Sequence, residues 1–258
     1  MPNIVILGAG FGGLELSSRL SDAFGGDANV TLIDKNEGFI FGFHKFELML
    51  GRATVEDLRL NYADIVKPGV TFRREEIRAI DPTARTVVTD GGTYNADILV
   101  VALGAEYDHA ATPGFVEGGS EFYSIEGAQR LRDVLPTFTG GRVVIAVLGE
   151  PFKCPPAPCE GAILLEAYFT EHGLGGKFSI SVVSPWGRPI PPSPDGSQVI
   201  LDRFAERRIT FVKEQMVVGI DPATKVANLR DGTTMPYDLF IGIPRHRVPA
   251  VVAESGLT

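Results

Sequence analysis

The stretch that decides the fold reads "NIVILGAGFGGLELSSRLSDAF", Asn3 to Phe24, and it is followed shortly by "NVTLID", Asn29 to Asp34. "NIVIL" is a short apolar run of strand length, Leu14, Leu16 and Leu20 recur with helical spacing, and "NVTLID" makes a second strand, so the chain opens on a βαβ unit. Between the first strand and the helix lies "GAGFGG", comprising Gly8, Ala9, Gly10, Phe11, Gly12 and Gly13. Each glycine has a job in a dinucleotide-binding turn. Gly8 permits the tight turn, Gly10 lets the backbone approach a pyrophosphate, Gly13 allows close helix packing, and the helix N-terminus supplies partial positive charge. Asp34 stands at the end of the second strand, where a carboxylate accepts hydrogen bonds from a ribose diol. Lys35, next to it, reads either as a contact to the same ligand or as a solvated charge.

Beyond this opening, strand-like and helix-like segments keep alternating, which predicts an α/β fold. "EIRAIDPTARTVVTDGGTY" (Glu76 to Tyr94) alternates with period two, as an antiparallel meander does, and "ADILVVALG" (Ala96 to Gly104) reads as a buried strand. The pattern then restarts with "RVVIAVLG" as a strand, "EGAILLEAYFTEHG" as a helix closed by Gly173, and "KFSISVVS" as the next strand. "VVGIDPATKVANLRDGTTMPYDLFIGI" echoes the earlier "EIRAIDPTARTVVTDGGTYNADILVVAL". The expected architecture is therefore two Rossmann-like domains, with parallel sheets and small antiparallel meanders. The first would span 1–108, with 241–258 returning to it, and the second 109–240. The proline-rich "SPWGRPIPPSPDG" (Ser184 to Gly196) is expected to be a loop, since prolines do not suit a helix interior or a central strand.

Composition narrows the function. The 258 residues carry a formal net charge of −8, with 44% apolar residues. A binder of phosphate backbones needs a basic face, so nucleic acid is not an expected partner. The longest apolar run falls below the ~18 residues of a membrane-spanning helix, and the N-terminus lacks a signal peptide's positive leader. A cytoplasmic location is expected, with any membrane contact peripheral. No metal site is expected.

The second half has an informative absence. After its own first strand, where another glycine-rich turn would serve a nicotinamide dinucleotide, stands "GEPFKCPPAPCEG", and prolines lack the amide N–H groups that cradle a pyrophosphate. Ser184, rather than an acid, ends the following strand. This loop also holds the only two cysteines, Cys154 and Cys159, and a reducing compartment favours free or catalytic thiols over structural ones.

"GAGFGGLE", "YNADILVVALGAEYD" and above all "PFKCPPAPCE" make the chain resemble the flavoprotein sulfide dehydrogenases. These are the sulfide:quinone oxidoreductases and the flavoprotein subunit of flavocytochrome c sulfide dehydrogenase, within the pyridine nucleotide-disulfide oxidoreductase superfamily. The resemblance runs over nearly the whole chain. It implies FAD, with the adenosine on Gly8 to Asp34, a backbone contact near Ile77, and a second flavin-contacting segment at Ala102, Leu103 and Gly104. It implies that Cys154 lies beside the isoalloxazine and takes part in oxidising sulfide, that Glu160 handles protons, and that a quinone or other acceptor takes the electrons. The chain departs from the pattern at its end. After "GLT" the relatives continue with a Gly-Asp flavin motif, a second redox cysteine and amphipathic membrane helices, so the chain resembles a C-terminally truncated member.

The residues agree with this chemistry. The thiolate is the nucleophilic form of cysteine, and Lys153 together with the helix N-terminus just downstream is expected to favour it at Cys154. An extended Pro-Pro segment would hold Cys154 and Cys159 farther apart than the ~7 Å a disulfide tolerates, so Cys159 is expected to be a packing residue in the first helical turn. Glu160 reads equally as a favourable acid at that helix N-terminus, and His44 as a proton carrier or a surface histidine. Two other functions stay open: a type-II NADH dehydrogenase-like flavoprotein, and a truncated non-catalytic FAD-binding module.

Overall fold

The computed structural model describes residues 1–65 and 67–258, which divide into two units: 1–41 with 56–106 and 247–258, and 42–55 with 107–246. Each unit is built on a four-stranded parallel sheet.

In the first unit the strand order is Val70–Arg74, Val30–Asp34, Ile4–Leu7, Ile98–Val101. The central strand Ile4–Leu7 is buried on both faces, because a parallel sheet is covered by its crossover connections. Alternation sorts its side chains. Ile4 and Ile6 pack with Val30, Leu32 and Tyr62, whereas Val5 and Leu7 pack with Ile33, Ile80 and Val87 on the opposite face. The helix Phe11–Phe24 covers the first of these faces through Leu14, Leu16 and Leu20, as the sequence spacing predicts.

The second unit repeats the plan, with order Ile209–Val212, Phe178–Val183, Gly141–Val147, Leu239–Ile243, all parallel. Each sheet has its own three-stranded antiparallel meander: Ile77–Asp81, Thr86–Thr89 and Thr93–Asn95 in one unit, Val217–Asp221, Val226–Leu229 and Thr234–Pro236 in the other. The internal repeat extends to single hydrogen bonds. In "DPTAR" the Asp81 carboxylate accepts from the Thr83 (3.0 Å) and Ala84 (2.8 Å) amides, and in "DPATK" Asp221 accepts from the equivalent Ala223 (2.9 Å) and Thr224 (3.3 Å) amides. Arg85 and Lys225 close the two turns with nearly identical left-handed φ of 55° and 54°. Both meanders also carry a register shift at the same place, between Ile77 and Ala79 and between Val217 and Gly219.

Two local expectations are corrected. Ile98–Val101 is not a buried strand: it forms an edge of its sheet, and Ile98 is 48% exposed. The proline-rich segment does enter a helix, since Pro194 opens Pro194–Arg207. Proline is tolerated there because the first helical amides have no intrahelical acceptor, and its fixed φ suits the turn. Ser193 caps that helix by accepting from the Gly196 amide (3.3 Å). Among the described residues no helix is long and apolar enough to cross a membrane.

Candidate functional site

In the first unit the three glycines of the turn have different surroundings. A Cβ on Gly8, whose φ is +97°, would fall 2.5 Å from the Ala102 carbonyl oxygen, and one on Gly13 would fall 1.8 Å from the Gly8 oxygen. Those two glycines are required by the protein's own packing. Gly10 is different, because a Cβ there would meet nothing within 4 Å. The turn therefore leaves free space beside Gly10, at the helix end where amides have no intrahelical partner. That is the shape and polarity of an anion cradle.

Asp34 helps to hold the cradle. Its Oδ2 accepts from the Ala9 amide and its Oδ1 from the Asn36 amide, both at 2.8 Å, which leaves acceptor capacity for a further donor. The buried Tyr62 hydroxyl donates to the Ala9 carbonyl at 2.7 Å. Burial, reinforced by the nearby Asp34 carboxylate, pushes the Tyr62 phenol well above its usual range, so it acts as a fixed neutral donor. Nothing in the sequence pattern pointed to Tyr62. Replacing it by phenylalanine keeps the ring against Phe72 and strands a buried carbonyl, so Tyr62→Phe is expected to lower stability by about 1–3 kcal/mol, read as a fall in Tm.

The second segment expected at the cofactor lies beside the first. The Ala102 amide donates to the Leu7 carbonyl at 2.8 Å, and the Ala102 methyl sits 3.7 Å from where a Gly12 Cβ would be. Leu103 packs into the core, and Gly104 has φ +69° with open space where a Cβ would be. Glu75 donates its amide to the Asp34 carbonyl at 3.0 Å, which brings the strand starting at Ile77 near Asp34. Lys35 is exposed and lines a shallow groove with Asn36, Arg74, Glu75, Glu76 and Asp90. Phe11 is 62% exposed and meets Phe39 and Phe41 edge-on at 5.0 and 5.1 Å.

In the second unit, "PFKCPPAPCE" folds differently from the expected extended segment. Cys154 has a left-handed φ of 54°, its carbonyl accepts from the Ala157 amide at 3.0 Å, and the helix Ala157–Phe169 begins inside the proline cluster. Pro156 and Pro158 fit because they fall where a helix has no amide bonds to lose. The segment is thus a compact turn, and both cysteines are free thiols, Cys154 exposed and Cys159 buried. Cys159 packs in the first helical turn as expected, and burial pushes its thiol up to about 12.

The expected activation of Cys154 is corrected. Its thiol lies above the ordinary value because partial desolvation outweighs the lowering by the Ala157 amide, and Glu160 adds to the rise. The side chain that opposes the rise is Lys45, from the helix His44–Met49, rather than the adjacent Lys153. Lys153 lies over the Tyr107 ring, 4.9 Å from its centroid. Glu160 is exposed in the first turn of the helix, and partial desolvation raises its carboxyl above the usual value, which suits a proton-handling group. His44 is exposed at the start of its helix.

Beneath the turn lies a polar cluster that motif reading missed. Tyr123 donates its hydroxyl to the carbonyls of Lys153 (2.9 Å) and Cys154 (3.3 Å). Its own carbonyl accepts from Lys45 Nζ (2.6 Å) and the Tyr107 hydroxyl (3.0 Å). Glu121, 1% exposed, accepts from the amides of Tyr123 (2.5 Å) and Ser124 (2.9 Å) and fixes the backbone on which Tyr123 sits. The turn that follows the strand Gly141–Val147 is therefore built from prolines and braced by the Tyr123 hydroxyl. Ser184, which stands where a ribose-binding acid is missing, is buried, and its hydroxyl accepts from the Trp186 amide at 3.3 Å.

Two α/β units of one plan, each a parallel sheet with an antiparallel meander, one with an open glycine turn and one without, define a protein of the two-dinucleotide-fold class. Residues 2–153 match the family described as pyridine nucleotide-disulphide oxidoreductase. The chain belongs to that family. The crystal structure of the sulfide:quinone oxidoreductase from Aquifex aeolicus is similar to it with a TM-score of 0.89 and 25% identity, over 99% of this chain and 61% of that one. The mitochondrial sulfide:quinone oxidoreductase of Dictyostelium discoideum is 25% identical over 98% of this chain and 58% of its own length. The alternative NAD(P)H-ubiquinone oxidoreductase C1 of Arabidopsis thaliana is 26% identical over 89% of this chain and 47% of its own. The chain thus spans about half to three-fifths of the length of these relatives.

Proposed function

We propose that the chain is the nucleotide-binding and thiol-bearing part of an FAD-dependent oxidoreductase that oxidises sulfide or a related small sulfur compound and passes electrons to a quinone or another acceptor. The observation that carries this reading is the contrast between the two turns. The first unit keeps free space at Gly10 with Asp34 and the helix amides around it, while the corresponding position of the second is filled by "PFKCPPAPCE". Gly8 to Gly13 and Asp34 would hold the dinucleotide half of FAD, with Ala102 and Gly104 alongside. FAD, when bound, supplies the two-electron acceptor. Cys154 offers the exposed sulfur nucleophile, and Glu160, with its raised carboxyl, exchanges the proton that a hydrosulfide or thiol must lose.

A second reading, an NAD(P)H:quinone oxidoreductase, is supported by the likeness to the Arabidopsis protein. The two readings differ in their electron donor. After reconstitution with FAD, anaerobic mixing with sulfide is expected to bleach the flavin band at least about tenfold faster than NADH or NADPH does, because prolines cannot present pyrophosphate-binding amides. Faster bleaching by either nucleotide would replace the first reading with the second. Chain that takes up no FAD would defeat both.

A further inference from the structure

The residue that follows Gly10 is a phenylalanine. Phe11 opens the helix Phe11–Phe24, where amides have no intrahelical acceptor, and its side chain stays exposed. The ring is nonetheless held. It meets Phe39 at 5.0 Å and Phe41 at 5.1 Å between centroids, Phe39 meets Phe41 at 6.1 Å, and all three pairs are edge-to-face, as aromatic quadrupoles favour. Phe39 anchors the group, because it packs on the core cluster that contains Ala9 and Tyr62. It also belongs to a short ribbon, Gly38–Phe39 against Leu60–Asn61, which leads into Tyr62, whose hydroxyl fastens the Ala9 carbonyl of the glycine turn. Leu60, paired with Phe39 in that ribbon, is as exposed as Phe11. No atom of Phe39, Phe41 or Leu60 comes within 4 Å of a Cβ placed on Gly10, so this apolar surface borders the turn without filling its open space.

We propose that Phe11, Phe39 and Phe41 form an apolar wall of the dinucleotide site, with Phe11 as the residue that keeps water and salt from the pyrophosphate and so slows the release of FAD. This rests on the reading of Gly8 to Gly13 as the FAD turn. A helix that merely began here would gain nothing from an exposed phenylalanine in its first turn, where the dipole favours an acid. The chain instead places an aromatic ring there and supplies two more rings and a ribbon to hold it. Hydrogen bonds from the helix amides to a phosphate are stronger, and less screened by ions, when the space beside them is apolar. The glycines thus admit the pyrophosphate, and the wall retains it.

The test times the release of FAD from the loaded full chain, diluted into excess ADP-ribose to block rebinding and followed by the change in flavin fluorescence. Phe11→Ala is expected to release FAD about tenfold faster than wild type, with a rate that climbs as KCl is raised to about 0.5 M, whereas the wild-type rate changes less than about twofold over the same range. Phe11→Leu keeps an apolar cover and is expected to stay within about threefold of wild type. The melting temperature of the FAD-free chain is expected to move by less than about 2 °C in either variant, because an exposed ring contributes little to folding. Release from Phe11→Ala at the wild-type rate, or faster release with unchanged salt dependence, overturns the proposal and leaves the FAD reading standing. A drop in the melting temperature of FAD-free Phe11→Ala as large as that of Tyr62→Phe makes the ring a packing residue and overturns it as well. Wild-type chain that takes up no FAD defeats the FAD reading and the proposal with it.

Discussion

Gly10→Ala is expected to leave the melting temperature of the chain almost unchanged and to weaken FAD binding at least about a hundredfold, whereas Gly13→Ala is expected to cost the fold of the first unit. The two glycines lie three residues apart in one turn, yet their surroundings are opposite. A methyl on Gly13 would sit 1.8 Å from the Gly8 carbonyl oxygen, a backbone atom that cannot swing aside, so the helix has to move off the sheet. That exceeds ordinary overpacking, and a loss of more than about 3 kcal/mol follows. A methyl on Gly10 meets no protein atom within 4 Å and has an ordinary φ of −78° to occupy. It fills only the space through which a pyrophosphate reaches the helix amides. Losing two charge-assisted hydrogen bonds there, each about 1.5–3 kcal/mol, corresponds to a hundredfold or more in affinity. Thermal unfolding and a flavin fluorescence titration of the two variants separate the cases. If the Gly10 variant bound FAD like wild type, the glycine turn would not be the pyrophosphate site.

These glycines also show why part of the molecule was legible in the sequence. A strand, a glycine-spaced turn and a helix are local in the chain, and each residue's role follows from backbone sterics that act within a few positions. The paired "DPTAR" and "DPATK" turns were legible for the same reason, since each aspartate caps amides two or three residues on. What was not legible depends on distant partners. Tyr62 reaches Ala9 across 53 residues and Lys45 reaches Tyr123 across 78, and neither belongs to a motif with a fixed spacing. Ile98 looked like a core residue because its strand is apolar throughout, but apolar composition does not say whether a strand has a neighbour on each side. Two adjacent prolines favour an extended backbone in isolation, which is what the sequence of the proline loop suggests. At Cys154 the tertiary context wins: a left-handed residue followed by a helix start turns the prolines into first-turn residues, which cost the helix no hydrogen bond.

Cys154 is expected to alkylate with iodoacetamide on the order of a hundredfold or more faster than Cys159 at pH 8. The two thiols stand five residues apart in one turn, and three effects separate them. Cys159 is 2% exposed on the inner face of its helix, so a reagent reaches it only when that helix opens. Burial puts its pKa near 12, which leaves about one thiolate in ten thousand at pH 8. Cys154 is also raised above the ordinary thiol, but it is exposed, and the Ala157 amide and Lys45 hold part of the rise back. Its labelling is therefore expected to be slow at pH 7 and to climb steeply with pH, because each unit below the pKa removes nine-tenths of the remaining thiolate. Cys159 is expected to stay unlabelled across the same range until the chain unfolds, at which point both thiols should react alike. In the FAD-reconstituted chain the same contrast carries into chemistry: Cys154→Ser is expected to abolish sulfide-driven flavin reduction, and Cys159→Ser to reduce it by less than about threefold, since serine fits the small first-turn site with the loss of a modest packing contribution. Equal labelling of the two thiols, or an inactive Cys159→Ser beside an active Cys154→Ser, would reverse their roles and make the proline turn a scaffold for the buried sulfur.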